Sequence, residues 1–141
     1  MAVLALFPGS FDPFTKGHEA VLRRVLPLFD SVVVAVGVNS EKQCMFSPEE
    51  RVERIRQTLA DCPTVKVMSY SGMTIDLCHK VGAKVIIRGI RTADDFEYEQ
   101  LVASVNRSQD PSIETLFVMA DADHRNISST LERERLTHVS E

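Results

Sequence analysis

The segment Thr15-x-Gly17-His18 places a hydroxyl, a residue without a side chain and an imidazole within four positions of one another. Gly17 lets a phosphate approach the backbone, and His18 falls where a helix should begin, among amide N–H groups that have no partner inside the helix. This combination suits the α-phosphate of a nucleotide. Three more segments carry cations or hydroxyls: residues 39–46 with Lys42, then Arg88-Gly89-Ile90-Arg91, then Ile127-Ser128-Ser129-Thr130. Taken singly, each has an ordinary explanation. Gly9 and Pro13 shape a turn, Arg88 and Arg91 are surface charges, residues 128–130 cap a helix, and a lone histidine in a first helical turn is more often structural than functional. All four segments, however, follow the carboxyl end of a predicted strand, and in an α/β sheet such ends open on one crevice. Together they weigh toward a phosphate site. The set consists of donors and cations, and no serine sits in a G-x-S-x-G elbow, so the chemistry it suits is positioning and charge neutralisation.

The elements that must hold these segments are legible from periodicity. Residues 2–7, 31–37, 64–70, 84–87 and 113–119 are short apolar or β-branched runs and read as strands. Between them lie helical patterns. The first starts near Gly17 with Val21, Leu22, Val25, Leu28 and Phe29 on one face, distorted at its end by Pro27. Ser47-Pro48-Glu49-Glu50 supplies an N-cap, a proline at the first helical position and a capping-box glutamate, and opens a helix through Val52, Ile55 and Leu59. Further helices are expected at residues 74–80, at 94–107 with Tyr98, Leu101, Val102 and Val105 as its apolar stripe, and from about Ser128. Strands alternating with helices, each strand a continuous apolar run, predict an α/β fold: a doubly wound, five-stranded parallel sheet with helices on both faces.

The 141 residues form one expected domain, 1–141, with no internal repeat or linker. Sixteen Lys plus Arg against twenty Asp plus Glu give a net charge of -4, and 44% of residues are hydrophobic. That balance fits a globular protein and makes a poor sequence-independent nucleic-acid binder. No apolar stretch approaches a membrane span and no basic flank marks a signal peptide, so a cytoplasmic location with no membrane partner is expected. Cys44, Cys62 and Cys78 are odd in number and widely spaced, which supports neither a zinc site nor a disulfide framework. His79 and His138 are expected to have only surface or packing roles.

The run Pro8-Gly9-Ser10-Phe11-Asp12-Pro13-Phe14-Thr15-x-Gly17-His18 resembles the T/H-x-G-H signature of the nucleotidyltransferase superfamily, in the form typical of bacterial phosphopantetheine adenylyltransferases. The resemblance continues in order through Lys42, Met45-Phe46 and Glu49-Glu50-Arg51, through Arg88-Gly89-Ile90-Arg91 followed by Asp95-Phe96-Glu97-Tyr98-Glu99, and through Asn106-Arg107, Glu114-Thr115 and Ile127-Ser128-Ser129. It covers nearly the whole chain. It implies a Rossmann-like nucleotidyltransferase fold and transfer of AMP from ATP to 4′-phosphopantetheine, giving dephospho-CoA and pyrophosphate by in-line attack without a covalent enzyme intermediate.

Carried over position by position, the resemblance implies that His18 stabilises charge on the α-phosphate, with Lys42 and Arg91 also catalytic. Ser10, Lys42 and Arg88 would hold the acceptor phosphate and Thr74 the pantetheine arm. The nucleotide would meet Ser10, Phe11, His18, Gly89, Ile90, Arg91, Glu99, His124, Ile127, Ser128, Ser129 and Thr130. The last three hydroxyls would grip the β- and γ-phosphates with help from a helix N-terminus. Mg²⁺ would bind mainly through the ATP phosphates, coenzyme A is implied as a feedback ligand, and a homo-oligomer, a hexamer, is implied as the assembly. His18 is expected to be neutral in the free protein and to gain a proton or a strong hydrogen bond when ATP arrives. Three departures stand out. His124-Arg125-Asn126 replaces residues that are commonly aromatic near the adenine, Thr130 replaces a third serine, and the chain ends at Glu141 where relatives usually continue into another helical segment. Two rival readings are another nucleotidyltransferase with a different phosphorylated acceptor and a non-catalytic adenine-nucleotide sensor.

Overall fold

The computed structural model describes residues 2–41, 43–121 and 124–138, with helical residues 124–128, 137 and 138 described by backbone alone. Strands β1 (Leu4–Gly9), β2 (Ser31–Gly37), β3 (Val65–Tyr70), β4 (Val85–Ile90) and β5 (Glu114–Met119) alternate with helices α1 (Lys16–Val25), α2 (Pro48–Thr58), α3 (Thr74–Val81), α4 (Ala93–Gln109) and α5 (His124–His138). The sheet order is β3-β2-β1-β4-β5 and the pairings are parallel. Strand order therefore reverses between β1 and β4, the place where such sheets leave a crevice at their carboxyl ends.

Side-chain alternation divides the core between the two faces. Ala5 and Phe7 of β1 with Val32, Val34 and Val36 of β2 pack with Leu22 of α1 and Ile55 of α2. Leu6, Val33 and Ala35 turn the other way, toward Ile75, Leu77 and Cys78 of α3. Burying fourteen such residues in one cluster and nine in the other is the main force holding the sheet together. The three cysteines are free. Among the described residues no helix is long and apolar enough to cross a membrane.

Five details differ from the sequence expectation, and four of them matter for the site. The polar blocks Pro8-Gly9 and Arg88-Gly89-Ile90, expected as loops, are the last residues of β1 and β4. Pro8 pairs with Ala35 and Ile90 with Met119, so a neighbouring strand extends each run. Helix α5 begins at His124 rather than near Ser128, since nothing between 124 and 138 is a glycine or proline that would interrupt it. Ser128, Ser129 and Thr130 thus sit in its second turn, beyond the free amides of its N-terminus. The stripe expected on α4 is not a core face, because this helix buries none of its residues. Away from the site, α1 stops at Val25, where Pro27 has no N–H to continue the ladder, and the chain makes a 3₁₀ turn at Leu26–Leu28 that leaves Leu28 73% exposed.

Candidate active site

Thr15 is the N-cap of α1. Its side chain accepts from the His18 amide at 3.3 Å, and its own amide donates to His18 Nδ1 at 2.9 Å, closing a reciprocal capping box. A backbone N–H can only donate, so Nδ1 is the acceptor nitrogen and the neutral ring carries its proton on Nε2. Phe14 stacks on the imidazole at 5.6 Å between centroids, and Phe11 meets it edge-on at 5.1 Å. Burial, followed by the charges of Arg91 and Arg88, holds His18 below its ordinary 6.5. Protonating Nδ1 would also set two donors against each other. The ring is therefore fitted to give a hydrogen bond from Nε2–H, the second of the two behaviours expected from the sequence.

The loop before it is compact. Phe11 is 3% exposed at φ 48°, and a methyl on Gly9 would come within 2.7 Å of the Phe11 ring. Only a glycine fits under that ring. A methyl on Gly17 would lie 3.0 Å from an Arg91 terminal nitrogen, so the bare backbone at 17 is what lets this guanidinium lie against the start of α1.

Two cavities open beside this loop. One, of about 330 Å³, runs between the carboxyl ends of β1, β2 and β3 and the side of α4, where Ser10, Asn39, Thr74, Arg88, Glu99 and Asn106 supply polar groups. The other, of about 480 Å³, lies over β1, α1 and the end of β4, with Phe11, His18, Gly89, Arg91 and Asp95 in its wall. They share Pro8, Gly9, Ser10 and Arg88. Strand alternation explains the partition: on β4 the Arg88 side chain leaves on the α4 side, whereas Gly89 faces Val21 of α1.

Arg88 is held at this boundary by a fork. Its Nε and one terminal nitrogen donate to the two carboxylate oxygens of Glu99 at 2.7 and 2.6 Å, and the other terminal nitrogen donates to the Pro8 carbonyl. Burial disfavours the guanidinium, but Glu99 outweighs it and holds the arginine above its ordinary value, so it stays cationic. Glu99, expected at the nucleotide, lies in the first cavity with both oxygens committed to Arg88.

The other expected site residues divide clearly. Ser10 lies on the shared wall, Phe11 and Gly89 in the second cavity, and Thr74 in the first, where its hydroxyl is 3.1 Å from that of Tyr70. Ile90 is buried, and its carbonyl accepts from Ala120 as a continuation of the β4–β5 pairing. Ser129 and Thr130 are exposed and line neither cavity, since the early start of α5 carries them past its N-terminus. Lys42 lies outside the described residues, and the side chains of His124, Ile127 and Ser128 do as well.

Some lining residues were not singled out as site residues. Asp95 accepts from the amides of Arg91 and Thr92, each at 3.2 Å, and so fixes the backbone that presents Arg91. The signal was available in Thr92-x-x-Asp95, the spacing of a capping box. Tyr98, Val102 and Asn106 line the first cavity from α4. Tyr98 and Val102 belong to the run that the sequence offered as a core stripe, and Asn106 follows one turn later on the same side. Among the described residues no group of three His, Cys, Asp or Glu is placed to hold a metal.

Residues 6–135 match the model of a family described as cytidylyltransferase-like. The chain is 49% identical over 130 residues to a protein of Flavobacterium psychrophilum named phosphopantetheine adenylyltransferase, covering 92% of this chain and 85% of the relative. It is 43% identical over 138 residues to one of the same name from Leptospira biflexa, covering 98% and 86%. Among solved structures, a bifunctional NMN adenylyltransferase/ADP ribose pyrophosphatase from Francisella tularensis superposes with a TM-score of 0.62 at 21% identity, over 88% of this chain and 40% of that one. A lipopolysaccharide core biosynthesis protein from Thermoplasma volcanium gives 0.56 at 19%, over 87% and 99%. These two likenesses bear on the fold alone.

Proposed function

The chain belongs to the phosphopantetheine adenylyltransferases of the cytidylyltransferase-like family, and from that premise we propose that it moves AMP from ATP to 4′-phosphopantetheine, giving dephospho-CoA and pyrophosphate in coenzyme A biosynthesis. The observation that carries the reading is the pair of cavities with one common wall. Two substrates in adjoining cavities can meet at Ser10 and Arg88, as in-line transfer between them requires.

ATP takes the cavity of Phe11, His18, Gly89 and Arg91, and the acceptor takes the cavity of Thr74, Glu99 and Asn106, its phosphate toward Ser10 and Arg88, with Lys42 as a further grip. An oxygen of the acceptor phosphate attacks the α-phosphorus, the bond from that phosphorus to the bridging oxygen breaks, and pyrophosphate leaves. His18 donates from Nε2–H to an α-phosphate oxygen as charge builds there. Arg88, held straight by Glu99, neutralises the approaching phosphate, and Arg91 does so along the triphosphate. Mg²⁺ would be held mainly by the ATP phosphates and would there lower the charge on the departing pyrophosphate. The enzyme acts as a single domain of residues 1–141 in the cytoplasm, a setting in keeping with its free thiols.

We also infer a homo-oligomer. Tyr98, Leu101 and Val105 of α4 and Met119 of the edge strand β5 are 49–67% exposed, and Phe96 and Phe117 stand edge to face beside them. An apolar helix face next to the open edge of a strand is the kind of surface a second copy covers.

The deciding assay measures pyrophosphate from ATP and Mg²⁺ with and without 4′-phosphopantetheine, in the wild type and in His18→Ala. Release should require the acceptor and fall about 10²- to 10³-fold in the variant. Release that ignores the acceptor, or survives the substitution undiminished, refutes the mechanism. A panel of other phosphorylated acceptors distinguishes this reading from a transferase with a different substrate.

A further inference from the structure

Arg51 is the one charged side chain that is buried among the described residues, at 2% exposure, and it lines neither of the two substrate cavities. It stands in the first turn and a half of α2, where Ser47 caps the helix by accepting from the Glu50 amide. Among the described residues no carboxylate is hydrogen-bonded to it, and Asp12 meets it only through the field of its charge. Its Nε–H donates to the Phe46 carbonyl at 3.2 Å, and one terminal nitrogen donates to the carbonyls of Ser10 at 2.7 Å and Gly37 at 3.2 Å. Three pieces of chain distant in sequence are thus gathered on one guanidinium: the loop after β1, the end of β2 and the residues just before α2. Asp12 adds a second tie, its two oxygens accepting from the amides of Met45 at 2.6 Å and Phe46 at 2.9 Å.

Burying a cation without a bonded carboxylate is expensive, and a hydrophobic residue of similar size would ordinarily serve stability as well or better. What the arginine supplies is a planar fork whose Nε and terminal nitrogen reach carbonyls on both sides, a spread that an aliphatic side chain lacks and the compact ammonium of a lysine does not reproduce. Two of the three residues, Ser10 and Gly37, border the acceptor cavity. Ser10 lies on its shared wall, and Asn39 and Cys44 belong to the loop that is tied down at Gly37 on one side and at Met45 and Phe46 on the other. Arg51 and Asp12 make no hydrogen bond to His18 or Arg91, although Ser10 and Asp12 also lie in the wall of the cavity those two residues line.

We propose that Arg51 and Asp12 are positioning residues of the acceptor site, locking Ser10, Gly37, Met45 and Phe46 in place so that the acceptor meets a cavity wall already ordered. The proposal deepens the functional reading above, since it rests on that cavity taking the acceptor, and it needs a measurement that does not depend on turnover.

Arg51→Lys and Asp12→Asn provide the test, because the first retains the charge and the second retains the shape. In hydrogen–deuterium exchange the peptide covering residues 38–46 should exchange about tenfold faster in Arg51→Lys, and less than that in Asp12→Asn, while β1, β2 and β3 keep wild-type protection. Steady-state kinetics should show KM for 4′-phosphopantetheine raised about tenfold in Arg51→Lys with KM for ATP within about twofold. Unchanged exchange in that peptide in both variants, a uniform rise across the sheet, or equal increases in the two KM values would overturn the proposal. If the wild type releases no pyrophosphate with this acceptor, the functional reading fails while the exchange data still decide whether the clamp exists.

Discussion

The two flanks of the sheet are built by different means. On the side of α1 and α2, ten- and eleven-residue helices bury Val21, Leu22, Val25, Val52 and Ile55 against β1 and β2, and Thr15 and Ser47 cap their starts. On the other flank α3 buries Ile75, Leu77 and Cys78, but α4, seventeen residues long, buries none of its residues. Its ties are mostly polar: Arg88 to Glu99, His79 Nε2 to Asp110 at 2.6 Å across from α3, and Arg107 to Glu114 at 2.9 Å on β5. Exposed pairs such as the last contribute little. The half carrying His18 is closed by its own core, whereas α4 presents the exposed face on which we propose that a second copy packs.

Three experiments test that contrast, beginning with the largest effect. Leu22→Ala, at a position with no exposure, should lower the unfolding free energy by about 2–5 kcal/mol, because it leaves a cavity in a closed core. Leu101→Ala, at 67% exposure, should cost no more than about 0.5 kcal/mol in dilute protein, where no partner covers it. Equal losses by denaturant titration would show that the two flanks are alike. Next, Leu101→Asp should shift the wild-type assembly to monomer in light scattering and remove the concentration dependence of its melting temperature. A monomeric wild type at working concentration would end the argument for a second copy.

The smallest effect concerns pH and His18. Because the fold holds this imidazole below 6.5, the unfolded chain takes up the proton first as pH falls. The His18 contribution to stability is therefore present above 6.5 and declines below it, and the neutral donor survives to lower pH than a free imidazole would. The acid limb of kcat/KM should lie below 6.5. His18→Gln, which keeps an N–H donor but cannot titrate, should flatten that limb. A limb that stays unchanged in the variant belongs to another group.

Local rules made much of this legible. The start of α2 lay in four residues, Ser47-Pro48-Glu49-Glu50, since capping and proline geometry act within one helical turn. Thr15 and His18 could be recognised for the same reason, their reciprocal bonds spanning only three positions. The other side of Arg51 could not. Beside Glu49 and Glu50 on a charged helix it looks like one more solvated side chain, and it is buried by the carbonyls of Ser10 and Gly37, which are remote in sequence. The stripe on α4 was visible as a pattern, but a pattern does not say whether core, cavity or another chain will cover it. The position of Ser129 and Thr130 depended on where α5 begins, and no residue between 124 and 127 marks that boundary locally.

By itself, then, the sequence determined the α/β class, the order of its elements, and the chemical character of the Thr15-x-Gly17-His18 and Arg88-x-x-Arg91 segments, because periodicity, caps and residue type are properties of neighbours along the chain. The tertiary structure alone decided that β1 lies beside β4, that Arg88 and Gly89 face opposite sides of one strand, and that two cavities share the wall between them. Those outcomes depend on which strands pair and how far a neighbour extends them, and pairing is settled by burial of whole faces rather than by any short run of residues.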